Sequence, residues 1–153
     1  MNPDASACLK SNRAGICLVF RNSSRHVLIA VAASSPSCFS PLVFEALALK
    51  RGLELARDAS LSRLVIESDS LTLVKAINSI QLPLYKVGNI IKDIAVLIHV
   101  LGVSCVSFVP RKANRVDDAL AKLGLSLEGE SIWMEDVPPS VFLLMLEECS
   151  SPL

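Results

Sequence analysis

Paired cysteines, clustered histidines, aromatic residues and long apolar runs are all scarce in this chain. Its two histidines, His26 and His99, stand near none of the five cysteines, and no two cysteines form a Cys-x-x-Cys pair. The ligand spacings of a structural zinc site are therefore missing. An odd cysteine count, with Cys17 and Cys105 inside apolar strand-like stretches, fits small buried hydrophobes in a reducing compartment better than a disulfide framework. Aromatic residues make up 5% of the chain and none sits between basic residues, so an open platform for stacking unpaired bases is not expected. Apolar runs such as Ile94 to Ile98 and Val141 to Leu146 are far shorter than the roughly 20 residues of a membrane span. The first residues carry Asp4, Lys10 and Arg13 and lack the apolar centre of a secretory signal. A soluble intracellular protein of the cytoplasm or nucleus, with no membrane partner, is the expectation. Neither sign of charge is in excess: Lys plus Arg is 15 and Asp plus Glu is 15. That balance argues against a strongly basic scavenger of nucleic acid, yet allows a basic rim offset by an acidic metal site.

What is present is apolar: 52% of the 153 residues are hydrophobic and 20% are charged, enough to bury one domain core. The informative stretch runs from Arg63 to Ser70, Arg-Leu-Val-Ile-Glu-Ser-Asp-Ser. Its continuous apolar run reads as a strand buried on both faces. The run ends at Glu67 and Asp69, and a helix starts at Ser70 with Leu71, Val74 and Ile77 in periodic positions. Ligands of open α/β sheets bind beyond the carboxyl ends of strands, which is where Asp69 stands.

In chain order, residues 1–12 form a short polar segment. Gly15 to Phe20 and His26 to Ala33 form a hairpin about the turn Arg21 to Arg25. Leu42 to Ala59 is a helix with Leu42, Ala46, Leu49, Leu53 and Ala56 on its apolar stripe. Glu45, Ala48 and Gly52 share the neighbouring row, where small residues let a helix approach a sheet and where an acid lies along the sheet surface. After Arg63 to Glu67 and its short helix, Tyr85 to Leu101 is helical and Gly102 ends it. Ser104 to Val109 is a strand, and Arg115 to about Leu125 a helix that Asn114 caps. Residues 128–153 form a tail in which Trp133 anchors and Val141 to Cys149 make an amphipathic helix, set either against its own domain or against a partner.

Four carboxylates mark the edges of these elements: Asp4, Glu45, Asp69 and Asp118. Brought together they would repel unless cations neutralised them. Hard oxygen donors suit Mg2+, with Mn2+ as a substitute, and two such ions can clamp a phosphoryl displacement. The competing account is local: acids in first helical turns complement the helix dipole, and Asp69 starts its helix.

Four segments together resemble the ribonuclease H superfamily, most of all the plant reverse-transcriptase-like ribonuclease H domain found in single-domain proteins and retroelement remnants. They are Asn-Pro-Asp-Ala-Ser (2–6), Phe-Glu-Ala-Leu-Ala-Leu (44–49), Ile-Glu-Ser-Asp-Ser (66–70) and Ala-Asn-Arg-Val-Asp-Asp-Ala-Leu-Ala (113–121). The resemblance spans residues 2–125. It implies an α/β ribonuclease H-like fold: a five-stranded mixed sheet, the first three strands antiparallel, with helices on both faces, over residues 1–127. It implies an endonuclease that cuts RNA in an RNA–DNA hybrid with two divalent ions, on a monomeric chain. Residue by residue, the metal-binding acids of the family fall on Asp4, Glu45, Asp69 and Asp118, while Asp117 takes a position that is usually Ala. Departures are the short Met1–Pro3 segment ahead of the first acid, Ala5 where the family has Gly, and Phe108 where a His is common. They keep open an alternative, a decayed domain that only binds nucleic acid or protein. Phosphate partners are expected at Arg111, Lys112 and Arg115, with Lys10, Arg13, Arg21 and Arg25 as weaker ones.

Overall fold

The structure, a computed structural model, describes residues 5–12, 15–34, 40–79, 87–110 and 115–150, with the backbone alone for 5–12 and for 117, 118, 121, 148 and 149. Strands β1 (Ala5–Asn12), β2 (Gly15–Arg21) and β3 (Val27–Ser34) form an antiparallel meander. Helix α1 (Pro41–Asp58) leads to β4 (Leu64–Ser68), followed by α2 (Leu71–Asn78), α3 (Gly88–Leu101) and β5 (Cys105–Phe108). Helix α4 (Arg115–Ser126), β6 (Glu130–Met134) and α5 (Pro139–Ser150) complete the chain. The sheet order is β5-β4-β1-β2-β3-β6, with β4 parallel to both β1 and β5.

Alternation along the strands builds two cores. Leu18 and Phe20 of β2, Ile29 and Val31 of β3, and Leu64 and Ile66 of β4 pack against α1, α2 and α3. Cys17, Val19, Val27 and Ala30 face the other way, toward Val116 and Leu120 of α4 and Val141 of α5. Strands buried on both faces read as continuous apolar runs, which is why the period-two signal in β2 and β3 is faint. Full burial of side chains such as Leu18, Leu64 and Ile66 stabilises by roughly 1.5–3 kcal/mol each.

Local chemistry sets the element ends. Ser40 accepts a hydrogen bond from the Val43 N–H and Pro41 takes the first helical position of α1. Asn22 accepts through Oδ1 from the Ser24 and His26 N–H groups, which shapes the β2–β3 turn. Gly102 closes α3 at φ 62°, where its N–H donates to the carbonyl of His99. Two glycines set helix-to-sheet distances. A Cβ on Gly52 would stand 3.2 Å from a Leu18 methyl, and one on Gly124 would stand 2.8 Å from the Ala33 carbonyl oxygen.

Two differences from the sequence reading matter. Residues 5–12, read as a polar lead-in, form a full strand that pairs with β2 from Ser6–Arg21 to Asn12–Gly15. The described strand runs on to Asn12, well past the short segment read from the sequence. The tail holds a strand as well as a helix: β6 pairs with β3 from Ile29–Met134 to Ala33–Glu130, so a sixth strand joins the five of residues 1–127. Trp133 packs beside Val137 and Val141 on the α4 face.

Candidate metal and nucleic-acid site

The carboxyl end of β4 is built from its own hydroxyls. Ser68, 1% exposed, uses its Oγ to accept the Ser70 N–H at 3.1 Å, turning the chain sharply where the strand ends. Its carbonyl accepts from the Val109 N–H beyond β5 at 3.0 Å. Asp69, half-buried, is carried on this turn. Ser70 then caps α2, accepting from the Leu73 N–H at 3.3 Å.

The Ser70 hydroxyl does a second job. It donates to Oε2 of Glu45 at 2.5 Å, a charge-assisted bond that ties α1 to the β4–α2 turn. Glu45 is half-buried on the row it shares with the buried Ala48 and Gly52, as expected of an acid lying along the sheet. The structure thus brings the neighbourhoods of Glu45 and Asp69 together through one intervening residue. Sequence reasoning placed both acids at element edges but missed Ser68 and Ser70 as the groups that join them. The signal was present in the Ser-x-Ser spacing around Asp69, which suits a turn followed by an N-cap.

Other predicted residues fall as follows. Asp4, Arg111, Lys112 and Asn114, with Arg13, lie outside the described residues. The backbone of Asp118 is the fourth residue of α4, a helix that the chain enters after β5. Arg115 is exposed and ion-paired with Glu147 of α5, so the tail helix engages an expected phosphate partner. Arg21 donates through Nη1 to the Arg25 carbonyl at the β2–β3 turn. In the β1–β4 register, Ala5 is level with Leu64 and Leu9 with Ser68, so the Arg21 turn stands at the sheet end away from Asp69. His26 and His99 are exposed, on the hairpin and on α3.

A divalent ion fits the chemistry of the part that is described: two carboxylates on neighbouring rigid elements, one oriented by a hydroxyl donor, all with oxygen ligands. Among the described residues no group of three or more His, Cys, Asp or Glu gathers as a metal cluster. Titration is displaced further along α1. Lys50 is pushed up by its hydrogen bond to Asp93 of α3, and Arg51 by its hydrogen bonds to Glu130 of β6. These pairs, at 2.7 Å each, clamp α1 from two sides. Among the described residues no helix is long and apolar enough to cross a membrane.

Residues 2–124 match the model of a family described as reverse transcriptase-like. No curated protein matches the chain. Among solved structures, ribonuclease H1 of the halophilic archaeon Halobacterium salinarum superposes with a TM-score of 0.60 at 18% identity, covering 80% of this chain and 98% of that one. LC11-RNase H1, isolated from compost by a metagenomic approach, reaches 0.65 at 18% identity, covering 82% and 97%. The same enzyme in complex with an RNA/DNA hybrid reaches 0.66 at 17% identity, covering 80% and 96%. At these identities the likeness is one of fold.

Proposed function

The chain belongs to the reverse transcriptase-like family of the ribonuclease H superfamily, and from that premise we propose that it is a divalent-cation-dependent endoribonuclease for RNA–DNA hybrids. The observation that carries the reading is the bond from Ser70 to Glu45, which draws a helix carboxylate to the strand end that bears Asp69. The full donor set of the reading is Asp4, Glu45, Asp69 and Asp118, holding Mg2+ or Mn2+. Bound cations would supply activation of the attacking water and neutralisation of charge on the phosphate. The chain's own part is positional. The α1 clamp and the β4–α2 turn hold the carboxylates on rigid elements, so little reorganisation is needed on substrate binding. Hybrid recognition would rest on backbone shape, phosphates and the 2′-hydroxyl, with Arg111, Lys112 and Arg115 as phosphate partners at the entry to α4. The LC11 enzyme, similar in fold, binds such a hybrid.

A second reading, a domain that binds hybrids without cutting them, draws on the β1 register. The residue of β1 beside Ser68 is Leu9, and the described strand, Ala5–Asn12, carries no acid. One experiment separates the two. Purified protein with Mg2+ is given a labelled hybrid beside an Asp69→Asn control. Cleavage of the RNA strand above the control supports the nuclease. Retention of the hybrid on a gel without cleavage supports the binding module, and neither outcome sinks both.

A further inference from the structure

One hydroxyl at the centre of the site carries more than its place in a turn requires. Ser70 Oγ has a single proton and two acceptor lone pairs. The Leu73 N–H points at it at 3.3 Å, so an accepting lone pair is used by the α2 cap. The proton goes to Oε2 of Glu45 at 2.5 Å, the shortest length expected of a hydroxyl donating to a carboxylate. A cap alone does not need this bond: Asp and Asn cap as well as Ser, but Asp has no proton to give at neutral pH. Glu45 rides on α1, whose Ala48 and Gly52 are buried against the sheet, so its backbone is fixed and its side chain is the remaining freedom. Among the described residues, Ser70 is the hydrogen-bond donor to that carboxylate.

We infer that Ser70 is a positioning residue: its hydroxyl proton fixes the Glu45 carboxylate beside Asp69 before any ligand arrives, leaving Oε1 to bind a divalent cation. The inference rests, for the cation, on the nuclease reading above; the hydrogen-bond part stands without it. A donor to a metal-binding carboxylate sets the orientation of that group, and losing such a partner typically weakens metal affinity by about 10- to 100-fold.

The test compares Ser70→Ala, Ser70→Thr and Ser70→Asp in the full chain, each checked for native circular dichroism. Ser70→Asp keeps the cap and removes the proton; Ser70→Thr keeps both. Calorimetric titration with MgCl2 is expected to show about a tenfold or greater loss of affinity in Ser70→Ala and Ser70→Asp, with Ser70→Thr close to the parent. Equal affinity in all folded variants overturns the inference. The second arm is a urea-denaturation cycle of Ser70→Ala with Glu45→Ala. The paired variant is expected to shift the midpoint by less than the sum of the single shifts, and additive shifts overturn the inference. If the parent itself takes up no Mg2+, the nuclease reading fails, while the cycle still decides whether Ser70 holds Glu45.

Discussion

Replacing Gly124 by Ala should damage this protein more than replacing Gly52 by Ala, although both glycines lie buried in helices against the sheet. In an exposed helix either change would be favourable by about 1 kcal/mol, because Ala keeps less backbone entropy in the unfolded chain. The surroundings decide otherwise. A Cβ at position 124 would lie 2.8 Å from the Ala33 carbonyl oxygen, 3.2 Å from its nitrogen and 3.3 Å from the Ile16 oxygen, all main-chain atoms of paired strands. None can move without breaking the β2–β3 ladder, so α4 must lift. Overpacking of this kind costs typically about 1–3 kcal/mol. Main-chain obstacles that cannot yield put this site in the upper half of that range, so after the helix gain of about 1 kcal/mol the net loss is about 1–2 kcal/mol, or roughly 2–8 °C in Tm for a chain of this size. At Gly52 the obstacles are the two Leu18 methyls at 3.2 and 3.3 Å, the far end of a side chain that can turn. The net change there should stay within about 1 kcal/mol. Calorimetric melting of the two variants measures both. A Gly124→Ala protein as stable as the parent, or a Gly52→Ala protein more damaged than it, would refute the packing account. The consequence reaches the site, because α4 carries Arg115 and Asp118.

Three further outcomes are expected. Arg51→Ala should lower stability by up to about 1 kcal/mol, since its forked bonds to Glu130 tie the edge strand β6 to α1 while both groups stay partly exposed; the loss should shrink in 1 M NaCl when followed by urea denaturation. Asn22→Ala should cost about 1 kcal/mol by removing the acceptor for the Ser24 and His26 N–H groups, read from the same denaturation curves. Glu147→Gln should tighten binding of an RNA–DNA hybrid, most at low salt, by releasing Arg115 from its ion pair; unchanged retention on a gel would take Arg115 out of the interface.

Much of this architecture was legible from local signals. The start of a helix at Ser70, Gly102 as a helix end, and the apolar stripe of α1 each rest on neighbours within a turn. The small row of Ala48 and Gly52 rightly implied a helix lying close on a sheet. Two strands were not legible from the residues alone, although the resemblance implied the first of them: each takes a partner remote in sequence, β4 for β1 and β3 for β6. Ser6 to Asn12 are mostly polar or small, and become a strand because β2 and β4 flank them on both sides. Glu130 to Met134 gains its strand from the free edge of β3, and Gly129, at φ 105°, supplies the turn into it. At the site, the acids were visible as residue types at strand and helix ends. The bond that joins two of them was not, because Glu45 and Ser70 meet only after α1 has packed.

The most direct measurement of the central claim is site-resolved broadening of amide NMR signals by Mn2+ at low occupancy. If Glu45 and Asp69 share a cation, the amides of Glu45, Ala46, Ser68, Asp69 and Ser70 should broaden together and first, and Asp69→Asn should abolish the effect. Broadening centred elsewhere, or unchanged in Asp69→Asn, would contradict it.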